Sequence, residues 1–368
     1  MRLEPFEIER YYARYEFTTR YMLSSSDCQS RTIEELLALE PGSEEGLHGL
    51  WCGYTESRGA PPLREAIAGL YGRIGPEDIQ VLDAAEEAIF VLYHAVLGPG
   101  DHAIVETPCY QSAFEVARST GADVTAWCRR YEDGWAHDLD ALERLIRPNT
   151  RLLYVNTPHN PTGTLMDRAT YQRVVDIAAA HRLVLFSDEV YRELEHDPAE
   201  RLPAGCDLYE RAVSLGSISK TYGLPGLRLG WIATRDAALR EAVLGLRFYT
   251  TICSSAPSEF LTAVALRNRA PLVERNLAIV HENLPLLDGF FARRADLFEW
   301  VRPRAAPIGF PLVRRDVDVA ALCADLAASA EVLLLPGAVY GELRHVRFGF
   351  GRTDMAEALT RLEAHLPA

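Results

Sequence analysis

At 368 residues, with 48% hydrophobic and 24% charged side chains, the chain has material for one large domain or two joined ones, and its composition argues against disordered and fibrous classes. A formal net charge of −14 argues against nucleic acid or an anionic membrane as the main partner and says little about a small substrate. The seven cysteines have no close pair of the kind that ligates zinc or exchanges disulfides, so no metal site is expected and a reduced, cytoplasmic setting is. The start, MRLEPFEIERYYARYEF, shows neither a signal peptide nor an anchor, and no apolar stretch reaches the roughly 20 residues that span a bilayer.

Residues 4–22 mix aromatic and charged side chains and read as a helix or arm lying on the main body. Ser24, Ser25, Ser26 and Asp27 offer a polar turn, and Thr32 with Glu35 forms the pattern of a capping box before a short helix. Gly53, Gly59, Pro61 and Pro62 punctuate the next segment. Leu63–Leu70 then has the apolar spacing of a helix, as does the stretch from about Ala84 to Leu97, which Gly98-Pro99-Gly100 stops. From there the pattern alternates. Short apolar strands are expected at 103–105, 123–126, 152–155, 183–186, 213–215 and 229–232, with helices at 112–119, 139–146 and 171–181. Strands separated by amphipathic helices predict an α/β fold with a mostly parallel central sheet covered by helices. A long helical region at about 259–291 and a mixture of helices and short strands follow, in the manner of a smaller, discontinuous α+β domain. The expected division is an amino-terminal arm and part of the small domain at 1–45, a large domain at 46–270 and the small domain at 271–368.

In open α/β sheets ligands collect beyond the carboxyl ends of the strands, so the polar clusters after Val105, Val155, Phe186 and Leu215 should converge on one crevice. Lys220 follows a buried strand in a small-residue turn, a place suited to a held amine able to form a Schiff base with an aldehyde cofactor; a lysine there can also snorkel its amine into water. Asp188, directly after Phe186 and Ser187, reads either as a cap of the next element or as the counter-charge that keeps a cofactor pyridine nitrogen protonated. Asn160 and Tyr191 can each donate to a phenolate oxygen. Tyr110 is a core aromatic or a ring lying on a cofactor. Ser217, Arg228 and the backbone amides at Ala84, Ala85 and Glu86, where a helix opens, suit a phosphate; Glu86 itself must then point outward or be paired.

Together these residues resemble the class I/II aminotransferases, fold-type I enzymes dependent on pyridoxal 5′-phosphate and related to aspartate aminotransferase. The resemblance rests on Gly53-Tyr54 with Gly59 and Leu63-Arg64, Ala84–Ile89, Pro108-Cys109-Tyr110, Asn160-Pro161-Thr162-Gly163, Ser187–Tyr191, Ser217–Lys220 with Gly226–Trp231, and Arg347 in Val346–Gly349. It implies that Lys220 holds the cofactor and shuttles a proton, Asp188 pairs with the ring nitrogen, Asn160 and Tyr191 contact the phenolic oxygen, and Tyr110 stacks on the ring. Ser217, Arg228 and the Ala85-Glu86 backbone would hold the phosphate, with Tyr54 reaching it from a neighbouring subunit of a homodimer. Arg347 would grip the amino-acid carboxylate in a bidentate pair. Ala84-Ala85-Glu86 departs from the family, where a glycine, a small residue and a neutral polar one are usual.

The implied activity is transamination of an amino acid through an external aldimine and a quinonoid intermediate. The segment from Phe17 to Asp27, with the helix-like Ile33–Leu37, also resembles the start of capreomycidine synthase-like cyclases, which dehydrate and close a ring on hydroxylated arginine. Glu16 and Asp27 are then candidates to receive a guanidinium, and read otherwise as a helix-face charge and a turn cap.

Overall fold

The computed structural model describes residues 3–367. Seven strands, β1 (Ile79–Leu82), β2 (His102–Thr107), β3 (Asp123–Cys128), β4 (Thr150–Asn156), β5 (Val184–Asp188), β6 (Ala212–Ser217) and β7 (Gly230–Ala233), form one sheet in the order β1-β7-β6-β5-β4-β2-β3. Pairing is parallel except on both sides of β7, which runs against β1 and β6. The parallel crossovers are helical, as over Gln111–Ser119 and Arg168–Ala180. Alternation along β4 assigns its side chains to opposite faces. Leu152 and Tyr154 join one buried cluster with Phe186, Val213 and the helix Ala84–Val96, while Leu153 and Val155 join another with Leu185 and the helix Arg168–Ala180. Both faces are therefore covered, which is why these strands read as unbroken apolar runs.

β1 escaped the sequence reading: Ile79-Gln80-Val81-Leu82 is a brief run whose Gln80 is buried, its amide donating to Ser57 and Val81 carbonyls at 2.8 and 3.0 Å. The helical region expected at 259–291 is two helices, Ala256–Arg267 and Arg269–Arg293. Asn268 divides them, donating its side-chain amide to the Val264 carbonyl at 2.9 Å and to Glu40 at 2.8 Å, the local competition that suits asparagine to helix ends.

Around the second of these helices lie β8 (Phe298–Glu299), β9 (Ile308–Gly309), β10 (Leu312–Val313), β11 (Leu335–Pro336) and β12 (Val346–Gly349), all in antiparallel pairs. Their cluster takes in Phe290, Phe298, Val332 and Phe348 together with Tyr21, Leu23 and Cys28 from the amino-terminal stretch. Tyr21 makes a parallel bridge to Val332, and the Gly349 amide donates to Leu23 O at 2.7 Å. A Cβ at Gly349 would lie 2.0 Å from Ser25 O, so only glycine lets the serine-rich stretch cross β12 there. The polar turn is thus buried, with Ser24 fully enclosed. The capping box at Thr32 and Glu35 forms as expected. Among the described residues no helix is long and apolar enough to cross a membrane.

Candidate active site

The carboxyl ends of β2, β4, β5 and β6 open on one cleft of about 510 Å³, closed on its other side by the amino-terminal helix Glu7–Tyr15 and by β12. Ala85, Glu86, Tyr110, Asn160, Asp188, Tyr191, Ser217, Lys220 and Arg228 all line it, as do Arg347, Glu16 and Asp27. Tyr54 does not: it stands 84% exposed on the segment ahead of β1.

Lys220 is the sole lysine of the sequence, all other basic side chains being arginine or histidine. Its Nζ donates to Ser26 Oγ at 2.8 Å, and burial lowers its pKa against the opposing charge of Asp27, so the amine is brought toward the neutral, nucleophilic form. At the end of β5, Asp188 accepts from the Tyr154 hydroxyl at 2.8 Å and from the Val190 amide at 3.2 Å. Burial nevertheless pushes its carboxyl up to about 6. An ionised Asp188 is therefore costly where it is buried and is relieved by a cation placed against it.

Asn160 is held by Asn156. Its backbone N–H donates to Asn156 Oδ1 at 2.7 Å, while Asn156 Nδ2 donates to Asp188 O at 3.0 Å, tying the ends of β4 and β5 together. Asn160 Oδ1 accepts from Arg347 Nη1 at 3.0 Å and from the Tyr340 hydroxyl at 3.2 Å. That fixes the amide so that Nδ2 is left as a free donor in the cleft. Burial holds the Tyr191 hydroxyl far above its ordinary pKa, so it too remains a donor.

The helix opening at Ala84 is uncapped, since the Asp83 side chain makes no cap bond. Its first amides are consequently available to an anion. Gly230 permits this geometry, because a Cβ there would lie 2.8 Å from the Ala84–Ala85 backbone. Ala84 adopts φ +67°, a left-handed conformation that glycine takes freely and alanine at a cost of roughly 1–2 kcal/mol, which accounts for glycine at this place in the resembled family. Arg228 lines the same cleft, and among the described residues its side chain makes a hydrogen bond only to Pro225 O, at 3.2 Å. Ser217 Oγ bonds to Ser219 Oγ at 3.1 Å and to Leu229 O at 3.2 Å. Glu86 is not turned outward: its carboxyl accepts from Ser112 Oγ at 3.2 Å, and burial pushes it up to about 7.

Tyr110 stands at the first position before its helix without a side-chain cap bond, and its hydroxyl donates to Glu9 Oε1 at 2.8 Å, with its ring 5.2 Å from that of Phe6. Arg347 is 2% exposed and has no carboxylate partner among the described residues, so a buried cation awaits an anion. Four of its five N–H groups are already bonded; the bidentate grip expected from the sequence is not free as the chain stands.

A lysine amine brought toward its neutral form, a buried carboxylate, an amide donor and an uncapped helix with an arginine fit the aldehyde, ring nitrogen, phenolic oxygen and phosphate of pyridoxal 5′-phosphate. Residues 21–362 match the family model described as aminotransferase class I and II. The chain belongs to this family. Like other class I and II aminotransferase-family enzymes, it depends on pyridoxal 5′-phosphate. It is 33% identical to capreomycidine synthase of Streptomyces vinaceus, over 99% of this chain and 93% of that one. A pyridoxal-phosphate-dependent aminotransferase from Streptococcus suis superposes with a TM-score of 0.93 at 31% identity, covering 99% and 98% of the two chains. The pyridoxal-phosphate-dependent cyclase OrfR superposes with a TM-score of 0.92 at 29% identity, covering 100% and 98%. The fold-type I architecture expected from the sequence is the one observed.

Sequence reasoning overlooked Ser26 as the partner of the Lys220 amine, Tyr154 and Asn156 behind Asp188, and Tyr12 and Tyr340 around Arg347. Tyr154 and Asn156 carried a signal, being polar groups on a buried strand next to a candidate site. Tyr12 and Tyr340 carried none, Tyr12 being one of several tyrosines on an amphipathic helix and Tyr340 the end of a short glycine-bounded turn.

Proposed function

We propose that this enzyme transfers the α-amino group of an amino acid with a cationic side chain, with Lys220 as the amine that holds the cofactor and then moves the α-proton. The bound cofactor supplies an electron sink for charge developing at the substrate α-carbon. Asp188 would hold a proton on the ring nitrogen, Asn160 Nδ2 and the Tyr191 hydroxyl would donate to the phenolic oxygen, and Tyr110 would lie along the ring. Ser217, Arg228 and the amides of Ala85 and Glu86 would hold the phosphate. Arg347 would orient the substrate by its carboxylate. In a homodimer Tyr54, exposed here, would reach the phosphate of the other copy.

One observation supports the cationic side chain above all. Burial, then Glu9, then Asp27 raise the Glu16 carboxyl, against the smaller lowering by Arg352 and Lys220, so three carboxylates share the cleft lining, and among the described residues only Asp27 has an arginine partner, Arg352, at 3.2 Å. A guanidinium or ammonium entering there relieves that repulsion. A second reading, dehydration and ring closure of a hydroxylated arginine, is supported by the whole-length likeness to capreomycidine synthase and to OrfR.

The holoenzyme should be offered a panel of neutral, acidic and basic amino acids, including hydroxylated arginines, with products followed by mass. Keto acid formed from an arginine-like substrate supports the first reading, and loss of water without amino transfer selects the second. Preference for acidic or neutral amino acids would discard the cationic assignment.

A further inference from the structure

Arginine presents five N–H groups in a rigid planar fork, and a carboxylate held by two parallel bonds needs two of them on one side. Around Arg347, Nη1 donates to Asn160 Oδ1 at 3.0 Å and to the Tyr340 hydroxyl, and Nη2 donates to the Tyr12 hydroxyl at 2.7 Å and to Ser24 O at 2.8 Å. Nε is buried with no acceptor. A substrate carboxylate therefore finds one N–H free, and a second contact must give way.

The four occupants are not equally fixed. Asn160 is tied through Asn156 to the ends of β4 and β5, and Ser24 is fully buried in the stretch that crosses β12. Tyr340 packs its ring 5.6 Å from that of buried Phe310. Tyr12 belongs to the helix Glu7–Tyr15, in which Ile8 is the one buried residue. Beyond Ile8 and the packing of Tyr11 against the small-domain cluster, that helix is held by polar contacts, such as Tyr11 OH to Leu334 O and Tyr110 OH to Glu9 Oε1, each 2.8 Å. Segments with few buried apolar contacts open at the lowest free energy, and lids are drawn from them.

We propose that Tyr12 is a positioning residue that occupies an Arg347 N–H needed by the substrate carboxylate, so that the amino-terminal helix is a gate on the carboxylate clamp. Substrate displaces the hydroxyl from Nη2, and the helix shifts because Tyr12 also loses its own bond to Ser24 O, 2.8 Å long here. The inference rests on the reading of Arg347 as the clamp. The competition lowers carboxylate affinity in the resting enzyme and leaves groups without a carboxylate unaffected.

Two reagents isolate the clamp whatever the native side chain is. Aminooxyacetate and O-methylhydroxylamine both capture the cofactor aldehyde by forming an oxime C=N bond as the bond from that carbon to the Lys220 nitrogen breaks, both protons of the reagent nitrogen passing to the released amine, and only the first carries a carboxylate. The ratio of their capture rates by holoenzyme, read from the change in cofactor absorbance, measures what the clamp contributes. Tyr12→Phe should raise that ratio roughly threefold to tenfold, the worth of one competing hydrogen bond, and leave O-methylhydroxylamine capture unchanged. Arg347→Ala should erase the preference. An unchanged or lowered ratio in Tyr12→Phe, with the preference lost in Arg347→Ala, would overturn the gate while sparing the clamp. Equal acceleration of both reagents would mean a mouth opened without regard to the carboxylate, and would overturn the gate as well. A preference that survives Arg347→Ala would remove the clamp and the gate together.

Discussion

Replacing Asp188 with asparagine separates the charge of this side chain from its shape. In the protein without cofactor Asp188 is 7% exposed, and burial pushes its carboxyl from 3.8 to about 6 despite the bonds from Tyr154 and Val190. A folded value above the unfolded one means that the native state holds the proton more tightly. Stability is then highest below about pH 4, falls as pH rises, and has lost the whole contribution above about pH 6. About two units at 1.36 kcal/mol each make the loss roughly 3 kcal/mol, and asparagine escapes it. The new NH₂ meets a donor, either the Tyr154 hydroxyl or the Val190 amide, which returns about 1 kcal/mol. The cofactor-free Asp188→Asn protein should therefore be about 2 kcal/mol more stable than wild type at pH 8, with the gap shrinking by pH 5. Cofactor reverses the order, because a protonated ring nitrogen gives a counter-charge to aspartate alone. Urea unfolding at both pH values, with and without pyridoxal 5′-phosphate, measures all four quantities. A variant no more stable than wild type at pH 8, or one that gains as much from cofactor, would refute the electrostatic role assigned to Asp188.

Two other outcomes follow from single residues. Borohydride treatment of the holoenzyme should fix one cofactor to the peptide carrying Lys220, the only lysine available; cofactor found on the terminal amine instead would end that assignment. Glu86, pushed up to about 7 by burial beside the helix opening, gains its charge across the neutral range, so cofactor affinity should weaken by up to about tenfold from pH 6 to pH 8.5. Glu86→Gln should bind cofactor with a flatter pH profile and more tightly at the alkaline end, as measured by fluorescence titration, whereas a parallel profile would show that Glu86 does not face the phosphate.

Asp188, Asn160, Ser217 and Lys220 were legible in the sequence because each sits just past a short apolar run, and a parallel sheet covered on both faces leaves such polar groups nowhere to go but the strand ends. β1 was not legible, because a run as brief as Ile79–Leu82 with a buried glutamine inside it carries no period of its own. Glu86 was recognised as awkward, and the structure answered the question with Ser112 and burial rather than with exposure.

By itself, then, the sequence determined the alternating strands and helices and the class of cofactor, and placed Lys220 and Asp188 at strand ends facing one cleft, since each of these is carried by a short local motif. The tertiary structure alone decided what surrounds Arg347 and what sits at the Lys220 amine. Tyr12 meets Arg347 across 335 positions and Ser26 meets Lys220 across 194, and such contacts exist only because the serine-rich stretch is buried against β12. No local pattern encodes a pairing of that range; it is set by which surfaces the core forces together.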